Sequence, residues 1–477
     1  MSWEVVIGLE VHAQVNTNTK AFCGCSTTFG ATPNTQTCPV CLGMPGQLPV
    51  LNREVARKVA LTGMAIEGNI NALSKFDRKN YFYPDLPKGY QITQLFLPIV
   101  QKGLVHIQDK HGNEKSVRIH QIHIEEDAGK SMHENSEFVS HIDLNRSGIP
   151  LMEIVSEPDM YSADEAVAYL KSLHQLLKFL NTSNADMEKG QFRCDANVSV
   201  RRKGEPLGTR AEIKNINSFR FVKQAIEYET QRQIELIEDG GTVVQETRLW
   251  DSVKNESRSM RGKEEAHDYR YFPEPDLPPL KLSDEELAEI RASMPELPHQ
   301  MHTRFVSDYG LSHYDAEVLS TSRDLAAYYE ALVQAHPKDP KQAANWLANE
   351  LLARLKEINT EIADSPVSAS DLASLLARIS DNTISGKIAK DVLDDMLKSG
   401  DAVDAIIERK GLKQITDSSA IDDMIQGVMD ANPAQLEQYR GGKDRLFGFF
   451  VGQVMKVTKG KANPKMVNQR LKEMLKG

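Results

Sequence analysis

Val5-Val6-Ile7-Gly8-Leu9-Glu10-Val11-His12 is the stretch that decides the fold. Val5, Ile7, Leu9 and Val11 alternate with a second set that ends in Glu10 and His12, a period of two that makes a strand with one apolar and one polar face. Ser116 to Glu126 and Glu137 to Leu144 read the same way, with turn residues between them. Two amphipathic helices interrupt this pattern. One opens on Ser162 with Glu165 three residues on, a capping-box signature, and stacks Leu170, Leu173, Leu177 and Leu180 on one face. The other runs from about Ser218 to Ile237 and stops at Asp239-Gly240-Gly241. Antiparallel strands with segregated helices predict an α+β domain. After Ser283 the texture becomes helical alone, with segments expected at Leu325 to Ala335, Lys341 to Glu357, Ala369 to Ile379 and Thr383 to Lys398, and a further boundary near Gly411.

The chain has 477 residues, enough for two to four domains. No apolar run approaches the roughly 18 residues that span a bilayer, and the start lacks a basic and apolar leader, so a cytoplasmic protein without a membrane segment is expected. With 57 basic and 67 acidic residues the net charge is -10, which argues against a general nucleic-acid binder. That average hides a segregation. Arg440 to Gly477 holds ten Lys or Arg against two acids, +8, which leaves -18 for everything before it.

Four of the five cysteines lie close together, as Cys23-Gly24-Cys25 and Cys38-Pro39-Val40-Cys41. Two short pairs across a closing loop can bring four thiolates to a tetrahedral ion, which predicts a structural zinc knuckle over 23–41. Two disulfides are the alternative, which a reducing compartment and the lone Cys194 disfavour. A site with four cysteine ligands leaves the metal no open position, so chemistry must lie elsewhere.

On strands, Glu10 projects with His12, and His123 with Glu125 and Asp127. Neighbouring carboxylates with an occasional imidazole suit Mg²⁺ or Mn²⁺, although a solvated polar face is an equally open reading. Glu126-Asp127-Ala128-Gly129-Lys130-Ser131 imitates the end of a phosphate-binding loop but has Ile124 where that motif needs glycine. Arg193-Cys194-Asp195 and Glu212-Ile213-Lys214 place charges beside strands, where turn formers and surface ion pairs are the plainer account. Aromatic residues cluster with bases at Arg78 to Tyr90 and Asp268 to Pro273.

Val6 to His12, Lys75 to Asp85, His123 to Lys130, Ile154 to Asp159, Asp268 to Asp276 and Phe449 to Lys456 together resemble the B-subunit family of the aspartyl/glutamyl-tRNA(Asn/Gln) amidotransferases, over essentially the whole chain. The resemblance implies a cradle-like, largely antiparallel catalytic domain over 1–292, a helical domain over 293–408 and a small helical, tRNA-binding tail over 409–477. It also implies an enzyme in which ATP phosphorylates the side-chain carboxylate of Asp-tRNA(Asn) or Glu-tRNA(Gln) and ammonia displaces the phosphate. Ammonia would come from glutamine in a partner amidase, the A subunit, with a small C subunit completing a heterotrimer and a non-discriminating aminoacyl-tRNA synthetase as a further partner. By residue, the resemblance assigns Glu10, His12, Glu125 and Glu153 to Mg²⁺ and ATP. It assigns Lys79, Arg193 and Lys214 to phosphate clamping, Lys88 with Glu125 to a polar gate, and Arg440, Lys443, Arg445, Lys456, Lys459 and Lys461 to tRNA. A noncatalytic tRNA-binding scaffold and a free-standing ammonia-using ligase are the competing readings.

Overall fold

In the computed structural model, which describes residues 2–108, 113–132, 139–262, 266–413, 418–458, 462 and 464–475, the opening segment becomes the middle of a ten-stranded sheet. Its long strands are β1 (Trp3–Gln14), β2 (Glu114–Glu126), β3 (Pro150–Ser156), β4 (Phe192–Arg202), β5 (Ala211–Ile216), β6 (Glu246–Asp251) and β7 (Glu256–Gly262). They lie in the order β7-β6-β5-β4-β1-β3-β2, and the short strands Val100–Gln101 and Asn69–Ile70 continue beyond β2. Every pairing is antiparallel except β5 with β6, so the α+β reading holds.

One face of this sheet is apolar. Ile7, Leu9, Val11 and Ala13 of β1, Ile122 and Ile124 of β2, Met152 and Ile154 of β3 and Ala196 and Val198 of β4 are all within 2% of complete burial. They form one core with helices α1 (Arg53–Ala65), α2 (Ala163–Phe179) and α3 (Phe219–Glu238). Leu170, Leu173 and Leu177 of α2 are fully buried, and each contributes roughly 1.5–3 kcal/mol by leaving water. Covering one face with helices leaves the other for polar side chains, and this is what positions the site. The short sheet of Asp77–Asn80, Tyr90–Thr93 and Phe272–Pro273 carries Lys79.

The helix Arg53–Ala65 is not among those the sequence pattern predicts. Its buried face is mostly small (Val55, Ala56, Val59, Ala60, Ala65), so the periodicity is faint in sequence, and Asn52 caps it by accepting the Glu54 N–H. The Ser162 capping box is half made. Ser162 accepts the Glu165 N–H, but the Glu165 carboxylate turns to the Tyr161 N–H and Lys115. At Ser283 and Glu286 both halves are present. Of the expected strand over Glu137 to Leu144, the described residues form strand at His141–Asp143, and residues 133–138 lie outside the described set.

The chain divides into two compact units, Met1–Leu297 and Pro298–Gly477. The second unit is helical, with Arg323–Ala335, Ala369–Ser380 and Gly386–Ser399 capped by Ser322, Ser368 and Ser385. The segment expected as one helix from Lys341 is Pro340–Asn345 and Leu352–Glu357 joined by a wider π turn over Trp346–Leu351. The helix Val403–Lys410 ends on Gly411 at φ 56°, a left-handed conformation that glycine adopts without steric cost. Beyond it, Ile421, Ile425, Phe450, Val454, Val467 and Leu471 make a core of their own. Among the described residues no helix is long and apolar enough to cross a membrane.

Candidate active site and metal centre

Directly opposed residues of an antiparallel pair share a face of the sheet. Arg193 of β4 opposes His12 of β1, His12 opposes Glu153 of β3, and Glu153 opposes His123 of β2, which gives one polar row across four strands. Glu10 and Glu125 stand two residues along the same strands, and Asp195 opposes Glu10. The His12 Nε2 lies 3.2 Å from Glu153, 3.5 Å from Glu125 and 3.6 Å from Glu10. The His123 Nε2 lies 3.0 Å from Glu153 and 3.7 Å from Glu125.

Charge is crowded here and protons respond to it. Burial disfavours an imidazolium at His12, yet the hydrogen bond to Glu153 and the charges of Glu153, Glu125 and Glu10 raise it to about 9. His123 rises to about 10 against the same burial penalty, chiefly through Glu153 and Glu125. The Glu10 carboxyl is pushed up to about 7, first by the charge of Glu153 and then by burial. Burial would raise Glu153, but the two histidines hold it well below the carboxylate range. The oxygen and imidazole donors fall into two triads, Glu10, His12 and Asp195, and His12, Glu125 and Glu153, each with ligand atoms within 4.8 Å of one another. The four residues expected as a single ligand set therefore divide around a shared His12, and Asp195 joins them. Such oxygen-rich sets with one imidazole fit a hard divalent cation.

Cations border the row. Arg193 donates to Asp127 at 2.9 Å, Gln14 donates to the other oxygen at 2.9 Å, and Arg146 stands 3.8 Å away. Against its burial, these charges keep Asp127 below its ordinary value. Lys214 pairs with Asp195 and reaches Glu212 at 3.5 Å. Half-buried Lys79 has its Nζ 4.8 Å from the Tyr269 ring centroid. Burial would neutralise that amine, but Tyr271, Glu125 and Glu153 raise its pKa and hold it charged. Lys88 pairs with Glu126, not with Glu125 as the gate reading has it. The physical reason is the strand pleat: Glu126 faces the other side of β2, where it also accepts the Ile92 N–H.

Cys23, Cys25, Cys38 and Cys41 converge with their sulfurs within 4.8 Å, and all four are free thiols. The set can hold a metal ion. The Cys41 thiol is drawn down to about 4, first by a hydrogen bond from Cys23 and, against burial, by the Cys38 N–H and Lys20. A cavity of about 80 Å³ borders Cys23 and Cys41 on one side and Lys88, Tyr90 and Glu126 on another.

Comparison with known proteins bears on this geometry. The GatB/GatE catalytic domain family matches residues 5–288, and the GatB domain family matches 327–475. A protein of Thioalkalivibrio sulfidiphilus, named as the B subunit of an aspartyl/glutamyl-tRNA(Asn/Gln) amidotransferase, is 60% identical over 476 residues, all of both chains. The chain belongs to the amidotransferase B-subunit family. Members of the same name from Syntrophotalea carbinolica and Coxiella burnetii are 58% and 54% identical, covering 99% and 100% of those proteins.

For this family member, the structure brings Glu10, His12, Glu125, Glu153, Arg193 and Lys214 to one face of the large sheet, sets Lys79 of the short sheet within reach of the charges of Glu125 and Glu153, and leaves Lys88 behind that face. In the second unit Arg440, Lys443, Arg445 and Lys456 are exposed, while Lys459 and Lys461 lie outside the described residues. His123, Asp127, Asp195 and Arg146 belong to the site but were not among the assigned residues. Two-residue spacing already linked His123 and Asp127 to Glu125. Nothing in the sequence aims Arg146 at Asp127.

Proposed function

We propose that this chain is the B subunit of a heterotrimeric tRNA-dependent amidotransferase, which activates the side-chain carboxylate of Asp-tRNA(Asn) or Glu-tRNA(Gln) with ATP and replaces the phosphate with ammonia. The observation that carries the proposal is the row His12, Glu153 and His123 with Glu10 and Glu125 beside it, in a chain of this family. A divalent cation held by Glu10, His12, Glu125, Glu153 and Asp195 would neutralise charge on the transferring phosphoryl group. Lys79 and Arg193, charged groups bordering the row, are the proposed phosphate-binding cations, and Lys214 pairs with Asp195. The four-cysteine set fits structural Zn²⁺, with Lys88 and Glu126 packed beside it as fold-holding residues. Division into domains 1–292, 293–408 and 409–477 is supported by the change to helices after Ser283 and the separate core past Ile421. Purification with the amidase and small subunits, then assay of both misacylated tRNAs with ATP and glutamine, tests the reading. tRNA binding without ATP turnover would favour a scaffold, and amidation by free ammonia without partners would favour a stand-alone ligase.

Cation binding is expected to release protons. Glu10 keeps a proton up to about pH 7 and His12 up to about 9, whereas a ligand must be carboxylate or neutral imidazole. Protons and metal compete, so the apparent Mg²⁺ or Mn²⁺ affinity rises with pH across that window. Calorimetric titration in buffers of different ionisation enthalpy reads the release directly. An affinity flat between about pH 6 and 9 would remove these two ligands.

The tail carries the second expectation. Replacing Arg440, Lys443, Arg445 and Lys456 together with glutamine should weaken tRNA binding at low salt and reduce the slope of log affinity against log salt by up to about 3.6, at roughly 0.7–0.9 per lost phosphate contact. An unchanged slope would make the charge a solvated face. Phe450 and Val454, fully buried on the helix Leu446–Val457 that also carries Lys456, should hold the fold in that variant.

A further inference from the structure

The ammonium of Lys20 is a buried charge that the chemistry above leaves unused. Lys20 is fully buried. Its Nζ lies 3.6 Å from the Cys41 sulfur and 3.3 Å from the Leu144 carbonyl oxygen, and among the described residues no carboxylate pairs with it. A buried ammonium is costly unless an anion compensates it. Four thiolates around a divalent ion carry a net charge of -2, and a hydrogen bond to one of the sulfurs is the kind of outer contact that tunes a metal site. We propose that Lys20 is the counter-cation of the four-cysteine metal centre and the strut that ties it to the loop carrying Arg146.

The second half of the proposal follows from the segment 142–148, the end of the strand His141–Asp143 and the loop after it. On its outer side Asn34 donates to the Ile142 carbonyl, Asn145 donates to the Thr32 carbonyl and accepts the Gln36 N–H, and Ser147 donates to the Cys41 carbonyl. The Ala21 N–H donates to the Gly148 carbonyl, and the Gly148 N–H donates to the Asp127 carbonyl. Gly148 sits at φ 82°, where a side chain would be strained. On its inner side Arg146 donates to the Ala128 and Gly129 carbonyls beside Asp127. One loop therefore touches the cysteine set on one side and the Asp127–Arg193 pair on the other, with Lys20 bridging the metal ligand Cys41 to Leu144 at its centre. Lys20 is a positioning residue: it acts on the site through this loop.

The inference rests on reading the four cysteines as a metal site, and the experiment separates the two. Full chain is purified and its zinc counted, then loaded with Zn²⁺ or Co²⁺. Absence of zinc with failure to take up cobalt would end the metal reading and the Lys20 role with it. If wild type binds the metal, Lys20→Met should release zinc to a chelator at least about tenfold faster, and its thiolate-to-cobalt charge-transfer absorption should shift, because one sulfur has lost a hydrogen bond. Loss of all metal at an unchanged far-ultraviolet circular dichroism spectrum is a stronger form of the same result. Equal release rates and an unshifted band overturn the proposal. If Lys20→Met does not fold, acylation of wild-type lysines decides: Lys20 should be protected in the zinc-loaded chain and labelled after stripping, and protection unchanged by stripping overturns it.

Discussion

Glu153→Gln is expected to lower ATP-dependent activation of the misacylated tRNA roughly a thousandfold, about 4 kcal/mol of transition-state stabilisation at a metal-assisted phosphoryl transfer. Glu153 is the carboxylate that both histidines share, at 3.2 and 3.0 Å, and it is 8% exposed. The amide keeps the shape and removes the charge that would face a bound cation and that keeps His12 and His123 charged without one. Glu10→Gln should cost less, since Glu10 lies at the rim with 26% of its side chain exposed. The measurement is single-turnover phosphorylation in the assembled enzyme, with glutamine hydrolysis as an internal control that both variants should pass. Activation within tenfold of wild type in Glu153→Gln would remove the row from the chemistry.

A different kind of loss is expected from Glu126→Gln. Its carboxylate is 3% exposed and pairs with Lys88, whose side chain is 9% exposed, behind the catalytic face. Removing one member leaves the other charge buried without its counter-charge, at about 3 kcal/mol. The denaturation midpoint of the full chain should therefore fall, with the slope of the first transition unchanged. Replacing both residues with methionine should recover most of the loss, because no uncompensated charge remains. Activation chemistry measured well below the transition should stay near wild type, in contrast to Glu153→Gln. A single variant as stable as wild type would show that Lys88 and Glu126 contribute no net stability as a pair.

The strand carrying Glu10 and His12 was legible in sequence because its alternation is regular and its register faces one buried core. The row across β1, β3 and β2 was legible only in pieces: each strand gave its own polar set, but which residues oppose one another depends on register. β5 shows why local reading stops short. Ile213 and Ile216 are both buried, three residues apart, so a strict period of two would place them on opposite faces. A bulge opposite Cys194 and Ala196 absorbs the extra residue, with Asn215 at φ 68°. Lys214, one step from the Ile213–Ala196 pair, falls on the face of Asp195, and the bulge returns Ile216 to the core. Arg146 was invisible for another reason, since it is aimed by a loop whose anchors, Asn34 and Asp127, are far away in sequence. The family resemblance supplied the identities that periodicity lacked, but it put the Lys88 contact one residue off, where the pleat of β2 settles the partner.

The row Arg193, His12, Glu153 and His123 also bears on how the chain is made. A ribosome delivers β1 first and β4 last among these strands, and β1 cannot complete its two neighbours until β4 has emerged. Until then the carboxylates have no fixed partners and no geometry that would distinguish a nucleotide from any other anion. Contacts so distant along the chain form late, after loop closure has been overcome. A nascent or prematurely terminated chain thus lacks the row, and under the proposed function the capacity to activate an aminoacyl-tRNA arises only together with the finished sheet.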